Sequence, residues 1–203
     1  MISASHLQLS YGNHEVLTDF NATFASATIT AVIGANGTGK STLLAALAGD
    51  IAPSAGSITI DGRSIADMSS SELAKLRSLA AQSHTYWMPY TTAEILKLGH
   101  ENVPVERFHY LIEKLGISSY LNQTVTTLSG GQTQRIEIAR ALMRELPIIL
   151  LDEPFASQDL KSISAIRELL QEERSAGRTV ILVAHARGED LTWCDQIIEL
   201  NAK

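Results

Sequence analysis

Gly34-Ala35-Asn36-Gly37-Thr38-Gly39-Lys40-Ser41-Thr42 lies between an apolar run at 28–33 (TITAVI) and a helix-compatible segment at 43–48 (LLAALA). Strand, glycine-rich turn and helix together make the context that a phosphate-cradling loop requires. Glycines at 34, 37 and 39 let backbone N–H groups converge on phosphate oxygens where a Cβ would obstruct them. The helix that begins near Lys40 brings its positive dipole end to the same point. Lys40 supplies a charge for the outer phosphates, and the Ser41 hydroxyl is suited to hold Mg²⁺.

Downstream, Ile148-Ile149-Leu150-Leu151 is an unbroken apolar run that reads as a strand buried on both faces, and it ends in Asp152-Glu153. Ligands of open α/β sheets bind at the carboxyl ends of the strands, so these acids are expected beside the phosphate loop. Strand alternation sends their side chains in different directions, which permits two roles. Asp152 is placed to hold Mg²⁺ through water, and Glu153 to polarise an attacking water. Residues 179–184 (TVILVA) form another buried strand that ends in His185, and Gln196 to Leu200 closes the sheet. An amphipathic helix with Ile163, Ile166, Leu169 and Leu170 on its inner stripe joins the two halves and ends near Gly177.

At the N-terminus, Ile2 to Ser10 and Val16 to Phe24 have strand character on either side of a turn at Tyr11-Gly12-Asn13. Tyr11 has two readings, an edge residue of the core or an aromatic platform for a base. Residues 57–60 (SITI) form a short strand closed by Asp61-Gly62, and Asp67 to Leu76 reads as a helix. Leu79-Ala80-Ala81 is a brief apolar run followed by Gln82. From Ser83 to about Arg140 helical patterns replace strands, notably at 92–98 and 105–115, as in a helical insertion into the α/β core. Within it Trp87-Met88-Pro89-Tyr90 is either a local mini-core or a docking surface. Ser129 is a natural N-cap before Gly130-Gly131-Gln132. Those glycines serve either a plain cap or a second anion site that faces a nucleotide held by another copy of the chain.

The 203 residues are enough for one ample core, and 45% hydrophobic with 19% charged residues is ordinary for a globular protein. A net charge of −6 offers no basic excess for nucleic acid. No run approaches the roughly 20 apolar residues of a membrane span, and the first residues lack the pattern of a secretory signal. Cys194 stands alone, so disulfides are not expected and a reducing, cytoplasmic setting is.

Taken together these residues resemble the ATP-binding subunit of ABC transporters across essentially the whole chain. GANGTGKST is similar to the Walker A loop, IILLDEP to the Walker B strand, and LSGGQTQR to the family's signature motif. Gln82 falls at the Q-loop glutamine, His185 at the switch histidine, Tyr11 at the base-stacking aromatic, and 156–159 (ASQD) at the D-loop. The resemblance implies a P-loop NTPase core with a mostly parallel sheet, an N-terminal antiparallel β portion and an inserted helical subdomain. The corresponding division is 1–82 and 141–203 for the nucleotide-binding core and 83–140 for the helical part with the signature. It implies ATP and Mg²⁺ held by Tyr11, Gly34, Asn36, Gly37, Gly39, Lys40, Ser41 and Thr42. Ser41, Gln82 and Asp152 are the implied metal neighbours, and Glu153, His185, Lys40 and Gln82 the implied catalytic group. Two subunits are expected to pack head to tail, with Ser129, Gly131, Gln132 and Asp159 of one chain closing on the ATP of the other. Transmembrane permease subunits and, indirectly, a periplasmic or extracellular binding protein are the expected partners, and nucleic acid is not. The expected place is the inner face of the cell membrane, as a peripheral cytoplasmic subunit.

Two departures from that pattern stand out. The D-loop usually reads Ser-Ala-Leu-Asp, whereas Ser157-Gln158 replace the Ala-Leu pair here, and Ala186 follows the histidine where Asp is common. The stretch from Gln82 to Gly99 is similar to importers of iron chelates, haem, cobalamin, zinc or manganese, although little chain separates Gly99 from Val105. Import of a metal ion or chelate is therefore expected, with an exporter subunit or a soluble non-transport ATPase as alternatives.

Overall fold

The computed structural model describes the chain apart from residues 13, 83–85, 101, 185–189 and 202–203, and apart from the side chains of Tyr11 and His14. Two sheets form its frame. Strands β1 (Ile2–Tyr11), β2 (His14–Phe24), β4 (Ala55–Ile60) and β5 (Arg63–Ser64) make an antiparallel sheet in the order β2-β1-β4-β5. Strands β3 (Ile29–Gly34), β6 (Arg77–Ala80), β7 (Ile148–Asp152), β8 (Thr179–Val183) and β9 (Gln196–Leu200) make a second sheet, ordered β6-β7-β8-β3-β9 and parallel throughout. The architecture is the α/β one expected, with the strand that feeds the glycine loop between β8 and the edge strand β9.

The continuous apolar runs behave as strands covered on both faces. Ile149 and Leu151 of β7, with Val180 and Leu182 of β8, pack on the side of α5 (Gly130–Met143) and α6 (Leu160–Ser175). Their neighbours Ile148, Leu150, Ile181 and Val183 pack on the other side, with α1 (Lys40–Ala48) and the antiparallel sheet. A period of two thus sets direction, and by the same count Asp152 follows Ile148 and Leu150 toward α1.

The helix expected over 67–76 is much shorter. A 3₁₀ turn at Ile65–Asp67 is followed by α2 (Ser70–Leu73), started by a capping box in which Ser69 and Glu72 each bond the other's backbone N–H. The Ser69 N–H and the Arg63 guanidinium hold the Glu72 carboxyl down at about 2. The chain then enters edge strand β6 at Arg77, whose guanidinium donates to the Ala48 carbonyl at 2.5 Å and pairs with Asp50 at 3.0 Å. The polar Arg77-Ser78 pair disguised this strand, because an edge position tolerates charge.

Helices α3 (Thr92–Lys97), α4 (Val105–Lys114) and α5 occupy the stretch expected to be helical. Capping boxes Thr91/Glu94 and Ser129/Gln132 start α3 and α5. Helix α5 runs unbroken through residue 140, where the helical part was expected to end, and packs on β6 and β7.

Candidate active site

Strand β3 delivers the glycine loop to the sheet's carboxyl edge. Gly34 has no room for a side chain, since a Cβ there would lie 2.5 Å from the Leu200 carbonyl oxygen and 2.8 Å from Thr38 Oγ1. Gly39 caps α1 in the left-handed region (φ 92°), and a Cβ would meet Val16 Cγ1 at 2.5 Å. Lys40 is only 6% exposed, and its ammonium donates to the carbonyls of Gly34 and Ala35, both at 2.9 Å. Asn36, Gly37, Ser41 and Thr42 face an open cleft of about 590 Å³ that Gln82, Glu153 and Val16 also line.

Across the cleft stands the end of β7. Asp152 is buried beside the Ser41 hydroxyl. Burial, helped by the neighbouring Glu153 charge, pushes its carboxyl above the usual range, against the opposing pull of Ser41 and Lys40. Its Oδ1 is buried with no hydrogen-bond partner. An orphaned carboxylate oxygen beside a hydroxyl and a phosphate loop is a donor set that fits a hard divalent cation. Glu153 sits in the left-handed region (φ 50°), a costly conformation for a non-glycine residue that the surroundings must hold. Its N–H donates to the Val183 carbonyl at 3.1 Å, and its carboxylate accepts from Gln82 Nε2 at 2.5 Å. Gln134, buried in α5, supports the corner by donating to the Asp152 carbonyl at 3.3 Å.

The signature residues lie apart from this cleft. Ser129 Oγ accepts from the Gln132 N–H at 3.3 Å, and Gln132 Oε1 accepts from the Ser129 N–H at 2.9 Å. Gly131 packs so closely on the loop after β7 that a Cβ would lie 2.5 Å from the Ser157 carbonyl oxygen. Asp159 caps α6 by accepting from the Ser162 N–H at 2.7 Å, and that bond holds its carboxyl below the usual range. The structure brings Lys40, Ser41, Gln82, Asp152 and Glu153 together around the cleft. Ser129, Gly131, Gln132 and Asp159 form a second group away from them. His185 lies outside the described residues, as does the side chain of Tyr11. Val16 and Gln134 were missed. Nothing local marks them, because each acts through a partner distant in sequence.

The ABC transporter family model matches residues 17–156. The chain belongs to that family. It is an ATPase, the ATP-binding subunit of an ABC transporter. It is 34% identical over 200 residues to a hemin import ATP-binding protein HmuV of Chelativorans sp., covering 91% of this chain and 76% of that one. A manganese transport system ATP-binding protein MntA of Synechocystis sp. is 32% identical over 212 residues, 98% of this chain and 81% of that one. A probable syringafactin export ATP-binding/permease protein of Pseudomonas syringae is 39% identical over 180 residues, 83% of this chain but 27% of that one. Among solved structures, the dimeric MJ0796 bacterial ABC transporter cassette superposes with a TM-score of 0.85 at 26% identity, covering 99% of this chain and 94% of that one.

Outside the cleft, this ABC subunit carries an exposed apolar cluster. Trp87 is 89% exposed, with Met88 and Tyr90 also on the surface, so the mini-core alternative fails. Tyr86 is the residue that turns inward, packing against the core and donating its hydroxyl to the buried Glu137 carboxylate. Burial raises its phenol well above the usual range. Among the described residues no helix is long and apolar enough to cross a membrane.

Proposed function

We propose that this ABC subunit powers import of a metal ion or metal chelate, docked from the cytoplasmic side on transmembrane permease subunits that a binding protein supplies. The convergence of Lys40, Ser41, Asp152, Glu153 and Gln82 on one cleft carries the catalytic reading. Hemin and manganese in the names of its relatives support the cargo class.

In this reading ATP lies along the loop, with Gly34, Asn36, Gly37, Gly39 and Thr42 offering backbone and side-chain donors to phosphate. Tyr11 stacks on the base. Lys40 exchanges its two carbonyl partners for phosphate oxygens, a stronger charge-assisted pairing. Ser41 and Asp152 hold Mg²⁺, with Gln82 close by. When bound, that cation neutralises phosphate charge. Glu153 accepts a proton from water as the water oxygen bonds the γ-phosphorus and the β–γ bridging P–O bond breaks, leaving ADP and phosphate. Gln82 and His185 orient the water and contact the γ-phosphate. Two chains meet head to tail, with Ser129, Gly131, Gln132 and Asp159 of each facing the other's nucleotide. The separation of these residues from their own chain's cleft supports that arrangement, as does the dimeric state of the MJ0796 cassette.

The test is vectorial. The chain is purified with the membrane protein it retains and reconstituted in vesicles with the ATPase outward. Added ATP should release lumenal hemin or Mn²⁺ to the ATPase side. The syringafactin exporter's likeness favours the second reading, export. ATP-driven accumulation in the lumen would establish export and overturn import.

A further inference from the structure

We propose that Gln158 is a positioning residue that clamps the loop after Glu153 onto the first turn of α5. The two segments that face the other chain's nucleotide then move as one piece. The role rests on the head-to-tail reading above, whereas the clamp is a property of the single chain.

Both ends of the Gln158 amide are used. Nε2 donates to the Gly131 carbonyl at 2.9 Å, with a longer contact to the Ala156 carbonyl at 3.4 Å. Oε1 accepts from Arg135 Nη1 at 3.0 Å. Gly131 and Arg135 are four residues apart on one helix and so share a face, which lets one side chain reach both. Arg135 is itself held in place. It donates to Ser162 Oγ at 3.0 Å and to the Tyr120 hydroxyl at 3.3 Å, and its guanidinium lies 5.9 Å from the Tyr120 ring centre. The backbone is pressed together at the same spot, with Ser157 in the left-handed region (φ 57°) and its carbonyl against Gly131.

Only an uncharged amide serves both partners, because one needs a donor and the other an acceptor. Leucine, which the family pattern has at this position, makes neither bond. Glutamate would keep Arg135 and repel the Gly131 carbonyl. The departure in the D-loop is therefore an added connection from the Glu153 loop to the Ser129–Gly131 turn of the same chain.

Two measurements test it, on wild-type, Gln158→Leu and Gln158→Glu, each also in the Glu153→Gln background. Hydrogen exchange on the nucleotide-free chain reads the clamp directly. Loss of one neutral and one charged hydrogen bond should speed exchange in both 130–135 and 156–159 by about 10-fold or more in Gln158→Leu. Gln158→Glu should show the increase mainly at 130–132, and it keeps the test available should the leucine variant fold poorly. The second readout is the dissociation constant of the MgATP-bound Glu153→Gln dimer, set beside MgATP affinity of the monomer. The role predicts a dimer weakened about 10-fold in Gln158→Leu at unchanged monomer affinity. Unchanged exchange would overturn the clamp. Faster exchange with an unchanged dimer would overturn the positioning role. A Glu153→Gln parent that never dimerises would overturn the head-to-tail reading, and the role of Gln158 with it, and the parent alone reveals that case.

Discussion

Two adjacent glycines in the signature turn should respond oppositely to the same added methyl group. Gly130 and Gly131 are the first two residues of α5, where alanine is the better helix former by roughly 0.5–1 kcal/mol. At Gly130 a Cβ meets nothing within 4 Å. At Gly131 it would lie 2.5 Å from the Ser157 carbonyl oxygen and 3.5 Å from Gln158 Nε2. The nearer obstacle is backbone, so relief requires moving the loop that follows β7. Overpacking of this kind costs about 1–3 kcal/mol, while the helix term is common to both variants and cancels in their difference. Gly131→Ala should therefore lie about 1–3 kcal/mol below Gly130→Ala, or roughly 2–12 °C in melting temperature for a chain of this size.

Thermal unfolding of the nucleotide-free chain is the assay, because ATP would mix in effects at the second site. Gly130→Ala should equal or exceed wild-type. Gly131→Ala should fall, and its ATPase should drop as well, since the shifted loop begins just past Glu153. Equal melting temperatures for the two variants would refute the close approach of the Ser157 loop to α5, and with it the packing logic of the signature turn.

Three further outcomes follow from the site and its frame. Glu153→Gln should lower ATP turnover by about 10²–10⁴-fold with MgATP binding retained, as measured by phosphate release beside nucleotide titration. Asp152→Asn should abolish Mg²⁺-dependent hydrolysis yet raise the melting temperature of the nucleotide-free chain at neutral pH. The wild-type carboxyl is raised by burial, so the folded state binds the extra proton and gains stability as pH falls through its raised value; the advantage of asparagine should fade over that window. Glu173, 1% exposed, is bonded by both Arg107 and Arg178, and Arg107 also donates to the Leu142 carbonyl at 2.9 Å. Glu173→Gln leaves Arg107 short of its countercharge between α4, α5 and α6, while Arg178 keeps Glu145 at 2.9 Å. It should cost about 3–5 kcal/mol, read as a denaturant midpoint shift at unchanged slope.

What the sequence disclosed depended on how local the physics was. The glycine loop was readable because its spacing serves its own backbone, and β7 because four consecutive apolar residues followed by two acids suit one kind of strand. Edge strand β6 was hidden, since Arg77 satisfies side-chain needs that only the positions of Ala48 and Asp50 explain. Trp87 and Tyr86 show the same limit in reverse. Adjacent large aromatics gave no sign which would face the core, and the buried Glu137 that receives the Tyr86 hydroxyl lies 51 residues away. Gln158 was noticed as a departure, but its partners on α5 emerge only when the signature helix is folded against the loop.

The cleft is arranged so that its reactive groups occupy one another. Lys40 is spent on the carbonyls of Gly34 and Ala35, and Glu153 on the amide of Gln82. A water that takes up the same carboxylate oxygen must compete with the Gln82 amide for that place. On the roles proposed above, a γ-phosphate that draws Gln82 aside would free the Glu153 carboxylate at the moment a substrate is present. Lys40 would favour that exchange by giving up two neutral acceptors for anionic ones, which attract its charge more strongly. Asp152 Oδ1, buried and unpartnered, adds a standing desolvation cost that only a cation or a proton relieves. The left-handed backbone at Glu153 belongs to the same economy of strain, held by the Val183 carbonyl on one side and by Gln82 on the other. Removing the Gln82 contact should thus release the base early. Gln82→Ala would be expected to raise ATP turnover relative to transport even as it lowers the transport rate itself, and a coupled loss of both in equal proportion would show that Gln82 orients water without restraining Glu153.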